Sequence, residues 1–144
     1  MRVLLQRVSQ AWVDVGGERI AEIGSGLLVF VGVASEDDSD RAHWLADKTG
    51  GLRVFPGDGK PMNRSVVDAG GEVLVVSQFT LTADTSRGKR PGFSTAATPD
   101  LAERLYGEFV QALSRLVPVQ TGRFGADMQV GLVNDGPVTF MLER

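Results

Sequence analysis

V-L-L-Q-R-V at 3–8, A-W-V-D-V at 11–15, E-R-I-A-E-I at 18–23 and L-L-V-F-V-G-V at 27–33 are set off from one another largely by glycine: Gly16-Gly17 before the third run and Gly24-Ser25-Gly26 before the fourth. β-Branched and aromatic residues suit a pleated surface, and glycine pairs supply the backbone angles of tight hairpins. The stretch therefore reads as antiparallel hairpins. Residues 27–31 lack polar alternation, which predicts a central strand covered on both faces.

Working outward, Ser39 is placed to cap a helix that stops at Gly50-Gly51, with Ala42, Leu45 and Thr49 on one face. The acidic run 36–40 reads as a helix-start feature, since carboxylates favour the positive end of the helix dipole. His43 falls off the apolar face and reads as surface. A short strand at 52–55 is followed by the loop P-G-D-G-K-P, which lacks the spacing of a phosphate-binding loop. E-V-L-V-V-S-Q-F-T-L at 72–81 predicts a second interior strand with a polar end. Residues 82–98 form the longest irregular stretch. Thr98-Pro99-Asp100 then opens a helix in the favoured order of cap, proline and acid. Its stripe is Leu101, Leu105, Phe109, Leu113 and Leu116, and Pro118 ends it. Residues 119–133 predict one or two strands. The fold expected is α+β: a single domain over 1–144, with a mostly antiparallel sheet curled towards a barrel and two principal helices.

No cysteine is present, and His43 is the only histidine. Disulfides and thiol nucleophiles are excluded, and zinc centres or a serine triad would rest on one imidazole. No metal or other cofactor is expected. Fifteen Lys and Arg stand against eighteen Asp and Glu, for a net charge of −3, so nucleic acid would have to be held by a local patch. The opening apolar run is far shorter than a signal-peptide core, and no stretch approaches a membrane span. A cytoplasmic protein without membrane partners is the expectation.

Gly92-Phe93-Ser94-Thr95-Ala96 approximates a nucleophile elbow, but a polar loop precedes it where a strand is required. Ser77-Gln78-Phe79-Thr80 puts two hydroxyls, an amide and an aromatic at the end of an apolar strand. Such a group can equally be a strand end meeting water. Arg87, Lys89 and Arg90 in the adjoining loop form either a solvated tip or an anion patch for phosphates. Asn134-Asp135-Gly136-Pro137-Val138-Thr139 fits an ordinary turn and also a rigid backbone offered to a substrate.

S-Q-F-T-L at 77–81, A-D-T-S-R-G-K-R-P-G-F-S at 83–94, T-G-R-F-G-A-D-M at 121–128 and N-D-G-P-V-T at 134–139, with Q-R-V at 6–8, closely resemble the D-aminoacyl-tRNA deacylase family, essentially end to end. The resemblance implies a homodimeric hydrolase that frees a D-amino acid, or mischarged glycine, from tRNA in chiral proofreading. It implies that Gly136-Pro137 is a cis pair inserted into the partner's active site, where its carbonyls hold the α-amino group and exclude L-residues. It further implies that Arg7 braces this pair, that Met128 lines the adenosine entrance, and that Ser77, Gln78, Phe79 and Thr80 position the ester while the terminal ribose 2′-OH assists. Aminoacyl-tRNA is then the partner, and DNA is not. Two rival readings are a non-catalytic module that binds tRNA ends, and a small-molecule esterase acting through Ser94.

Overall fold

Gly16 and Gly17 take φ values of 60° and 81°, and Val15 pairs with Glu18 across them. This is the two-residue hairpin turn that only residues tolerant of positive φ close without strain. In the computed structural model, which describes residues 1–144, the turn joins β1 (Arg2–Val15) to β2 (Glu18–Ile23). β3 (Gly26–Gly32) returns antiparallel along the first half of β1 and not along β2, so Gly24-Ser25-Gly26 closes no hairpin. The runs at 3–8 and 11–15 are one strand rather than two, because the C-terminal strand Gln129–Glu143 pairs along both. α1 (Ser39–Gly51) and a small hairpin of β4 (Phe55–Gly57) and β5 (Lys60–Arg64) lead to β6 (Glu72–Ser77). α2 (Pro99–Ser114), β7 (Val119–Thr121) and the long β8 (Gln129–Glu143) complete the chain.

The main sheet runs β2-β1-β3-β6-β7, with β8 antiparallel to β1. It is mixed, because β6 lies parallel to β3 and β7 parallel to β6. Each parallel neighbour arrives through a helix, α1 before β6 and α2 before β7, since a parallel return needs a crossover. The sheet curls until β7 approaches β2. There the Gln120 amide donates to the Glu22 carbonyl at 2.6 Å and accepts from the Glu22 N–H at 3.0 Å. A side-chain amide carries the same donor and acceptor as a peptide, so it substitutes for a ladder pair and nearly closes the barrel.

β3 and β6 are buried on both faces, as the unbroken apolar run of β3 predicts. Leu27, Val29, Val31, Val73 and Val75 face the helices, where Leu45, Leu105, Phe109 and Leu113 meet them. Leu28, Leu74 and Val76 face the inside of the curled sheet with Val8, Ala11, Val13 and Ile23. β1 serves both cores: Val3 and Leu5 point to the helices, Val8, Ala11 and Val13 inward. The change of face coincides with register shifts against β8 between Gln6 and Val8 and between Val8 and Gln10, as expected where bulges re-aim a strand.

Several local expectations move. The cap of α1 is Asp38 rather than Ser39, its carboxylate accepting from the Arg41 N–H at 2.9 Å. Gly50 and Gly51 complete the helix. Asp37 is no helix-start decoration: it is buried, pairs with the Met1 ammonium and Arg41, and accepts from the Ala34 N–H at 2.7 Å. The predicted loop 56–61 is the tip of the β4–β5 hairpin, and the strand begins at Phe55 rather than Leu52. α2 ends at Ser114, leaving Leu116 outside the helix and exposed. His43 is a surface side chain, 3.9 Å from Glu108. Neither helix is long and apolar enough to cross a membrane.

Candidate active site

β6 reaches the site from the interior, with Val73, Leu74 and Val75 fully buried. Gln78 prolongs the ladder by one bond, donating to the Val31 carbonyl at 2.7 Å, and the chain then winds into a short 3-10 helix, Phe79–Thr82. Ser77 and Gln78 therefore end the strand, whereas Phe79 and Thr80 head the turn. Three bonds fix that turn. The Thr82 hydroxyl donates to the Phe79 carbonyl at 2.8 Å, Arg2 donates to the Leu81 carbonyl at 2.9 Å, and the Thr95 hydroxyl donates to the Thr82 carbonyl at 2.7 Å. The Gln78 amide also donates to the Thr80 hydroxyl oxygen. As the first residues of a 3-10 turn, Phe79 and Thr80 have no turn carbonyl to which their own N–H groups can donate.

Ser77, Gln78 and Phe79 edge a cavity of about 540 Å³ beyond the carboxyl ends of β3 and β6. Val31, Val33, Ala102 and Tyr106 of α2, Phe124, Met128 and Val130 also line it. The mix of apolar walls and a few polar atoms on one edge is what a small-molecule pocket requires. Tyr106 packs on Phe124 with centroids 5.9 Å apart, and its hydroxyl donates to the buried Val75 carbonyl at 2.9 Å. Burial raises the phenol pKa above its ordinary value, so Tyr106 is a neutral structural donor. Of the other residues singled out from the sequence, Met128 lines this cavity, whereas Thr80, Arg7, Gly136 and Pro137 do not.

The last three meet elsewhere. N-D-G-P-V-T is no hairpin turn, for β8 runs straight through it. Gln6 pairs with Thr139 and Val8 with Asn134, so residues 135–138 stand opposite Arg7 alone, and the exposed residues 135–137 form a bulged arch in the strand. The Gly136-Pro137 peptide in the arch is cis. Arg7 donates to the Asp135 carbonyl at 2.8 Å and to the Val54 carbonyl at 2.6 Å, tying the arch to the segment before β4. Asn134 accepts from the Val138 N–H at 2.9 Å and donates to the Thr139 hydroxyl at 3.0 Å, clipping the base. Val138 plugs into the helix-side core. A Cβ on Gly136 would lie 2.4 Å from the Val138 nitrogen and 2.6 Å from its Cγ2, so this position admits no side chain without moving the arch.

The basic loop is equally well defined at its foot. Asp84 and Gly92 exchange backbone bonds of 2.8 and 2.9 Å, and the Ser86 N–H donates to the Asp84 carboxylate at 2.9 Å. The Ser86 hydrogen bonds hold the Asp84 carboxyl below its ordinary value. Arg87, Lys89 and Arg90 sit exposed at the tip, and none of them is in an ion pair. Ser94 lies on an exposed turn with no strand before it, and α2 starts only at Pro99. It does not line the cavity.

Two further residues build the site: Asn134, which the sequence marks only as part of the N-D-G-P-V-T cluster, and Tyr106, which it does not single out. Asn134 had a signal, since a short amide side chain often binds backbone a few residues on. Tyr106 is the one tyrosine, set within the apolar helix.

Residues 4–143 match the family described as D-Tyr-tRNA(Tyr) deacylase. D-aminoacyl-tRNA deacylase of Chlorobaculum parvum is 54% identical over 145 residues, covering 99% of this chain and 97% of the relative. A solved structure titled c-Myc DNA Unwinding Element Binding Protein superposes with a TM-score of 0.95 at 40% identity, over 100% of this chain and 99% of the other. A second, described as a probable eukaryotic D-amino acid tRNA deacylase, has a TM-score of 0.83 at 18% identity, over 98% and 97% of the two chains, and shares the fold. Identity of 54% along the whole chain to a curated D-aminoacyl-tRNA deacylase makes the protein a hydrolase. The chain belongs to the D-aminoacyl-tRNA deacylase family.

Proposed function

We propose that the protein hydrolyses the ester between a D-amino acid, or mischarged glycine, and the terminal adenosine of tRNA, acting in the cytoplasm as a homodimer. The observation that carries this reading is a mismatch within one chain. The cavity edged by Ser77, Gln78 and Phe79 lacks Gly136 and Pro137, while that pair is exposed and clamped on an edge strand. A second copy would bring the two together, using the exposed Val133, Phe140 and Met141 of β8 as its apolar contact. Gly136 and Pro137 carbonyls would then hold the substrate ammonium and clash with an L-side chain, a selection by repulsion that sets no limit on the D-side chain.

For the chemistry, the chain lacks a paired base and nucleophile at the cavity. Water attacks the ester carbonyl, the neighbouring ribose 2′-OH assists the proton transfer, and the products are free D-amino acid and tRNA. In this reading the Phe79 and Thr80 N–H groups would meet the developing oxyanion, Ser77 and Gln78 would orient the ester, and the Gln78 amide, which donates to the Thr80 hydroxyl, would orient Thr80. Met128 lines the adenosine entrance, and Arg87, Lys89 and Arg90 meet tRNA phosphates. DNA lacks the 2′-OH and is not a substrate.

Release of tyrosine from D-Tyr-tRNA with L-Tyr-tRNA left intact is the expected result. Equal rates on both would overturn the selector, and a sedimentation mass near 15.4 kDa would overturn the shared site. Ser94→Ala should retain full turnover, and its inactivation would favour the esterase reading.

A further inference from the structure

Phe79 and Phe93 are 58% and 41% exposed, with ring centroids 5.1 Å apart and planes tilted by 52°. Neither ring is drawn into a core, yet the backbone around both is firmly fixed. Gly92 is tied to Asp84 by the paired bonds at the loop foot, the Ala96 N–H donates to the Phe93 carbonyl at 3.1 Å, and the Ser35 N–H donates to the Thr95 carbonyl at 3.0 Å. Phe79 lines the cavity and Phe93 does not. The second ring therefore extends an aromatic surface from the cavity mouth towards the loop that carries Arg87, Lys89 and Arg90.

A fixed, exposed aromatic surface beside unpaired cations is how proteins hold single-stranded nucleic acid, because every base has a face to stack and every nucleotide a phosphate. We infer that Phe93, supported by Phe79, is a stacking platform for the unpaired nucleotide preceding the terminal adenosine. It is a positioning residue for the tRNA end, remote from the ester. The inference rests on the deacylase reading, which puts the terminal adenosine at the cavity mouth. From there the strand has to leave over its rim.

The test compares D-Tyr-tRNA with D-Tyr-adenosine, which has no preceding nucleotide. Phe93→Ala should raise KM for the tRNA about tenfold at near wild-type kcat, with a loss on D-Tyr-adenosine of no more than about twofold. Phe93→Trp, which keeps a stacking face, should restore the tRNA KM, while Phe93→Leu should not. Equal losses on the two substrates, no change on either, or rescue by Phe93→Leu would overturn the platform. A wild-type protein that cleaves neither substrate would instead sink the deacylase reading, and the platform with it.

Discussion

β6 enters the candidate site from the middle of the sheet, and β8 passes it along an edge. The residues leading to Ser77 are buried on both faces, so apolar packing sets where the strand ends. Residues 135–137 have no such support. Their position comes from Arg7 and Asn134, whose side chains hydrogen-bond the backbone of the arch, with Val138 as its single anchor in the core. Packing spreads its energy over many contacts, whereas the arch rests on a few directional bonds. Damage to the first should therefore appear as lost stability, and damage to the second as lost function in a folded protein.

The largest effect should come from Leu74→Ala, which empties a fully buried site inside the curled sheet. A loss of about 2–5 kcal/mol in urea unfolding is expected, with turnover per folded molecule close to wild type. Turnover falling well beyond the unfolded fraction would break the division between the two regions. Gly136→Ala attacks the arch instead, since its Cβ would meet the Val138 nitrogen at 2.4 Å. A displacement of that kind should cut kcat/KM by about 10²-fold while the urea midpoint moves little. Comparable stability losses in the two variants would show that the arch is part of the cooperative core.

The smallest effect concerns the basic loop, held by polar groups alone. The Asp84 carboxyl is lowered by its Ser86 hydrogen bonds, below the ordinary 3.8. A lowered carboxyl stabilises the folded loop above the ordinary carboxyl range, and that contribution disappears as pH falls through the lower folded value. The Ser86 amide resonance should titrate below 3.8 and lose this titration in Asp84→Asn. That variant should also be nicked by trypsin at Arg87, Lys89 and Arg90 about twofold faster at neutral pH. An Asp84 titration at or above 3.8 would remove the loop from the comparison.

The same contrast explains which features were legible beforehand. Leu27 to Val31 read as a covered strand because burial on two faces erases polar alternation, and the Leu105, Phe109, Leu113 stripe marked α2 because a helix must bury one side. Both signals are local. Asn134-Asp135-Gly136-Pro137 gave the opposite local signal, a cluster of turn formers, yet β8 continues through it. β1 offers ladder partners on both sides of the cluster and Arg7 fills the gap. Phe79 and Thr80 likewise read as strand, and turn away only because β3 ends at Gly32 and the Leu81 and Thr82 groups find partners elsewhere in the fold.

By itself the sequence determined the Gly16-Gly17 hairpin, the two interior strands, both helices and the residue groups that resemble the deacylases, because periodicity, caps and glycine turns act over a few residues. Tertiary structure alone decided the parallel returns of β6 and β7, the Gln120 clip that nearly closes the sheet, and the separation of the Gly136-Pro137 arch from the cavity of its own chain. Each depends on partners far apart in sequence, brought together only once the two cores have packed.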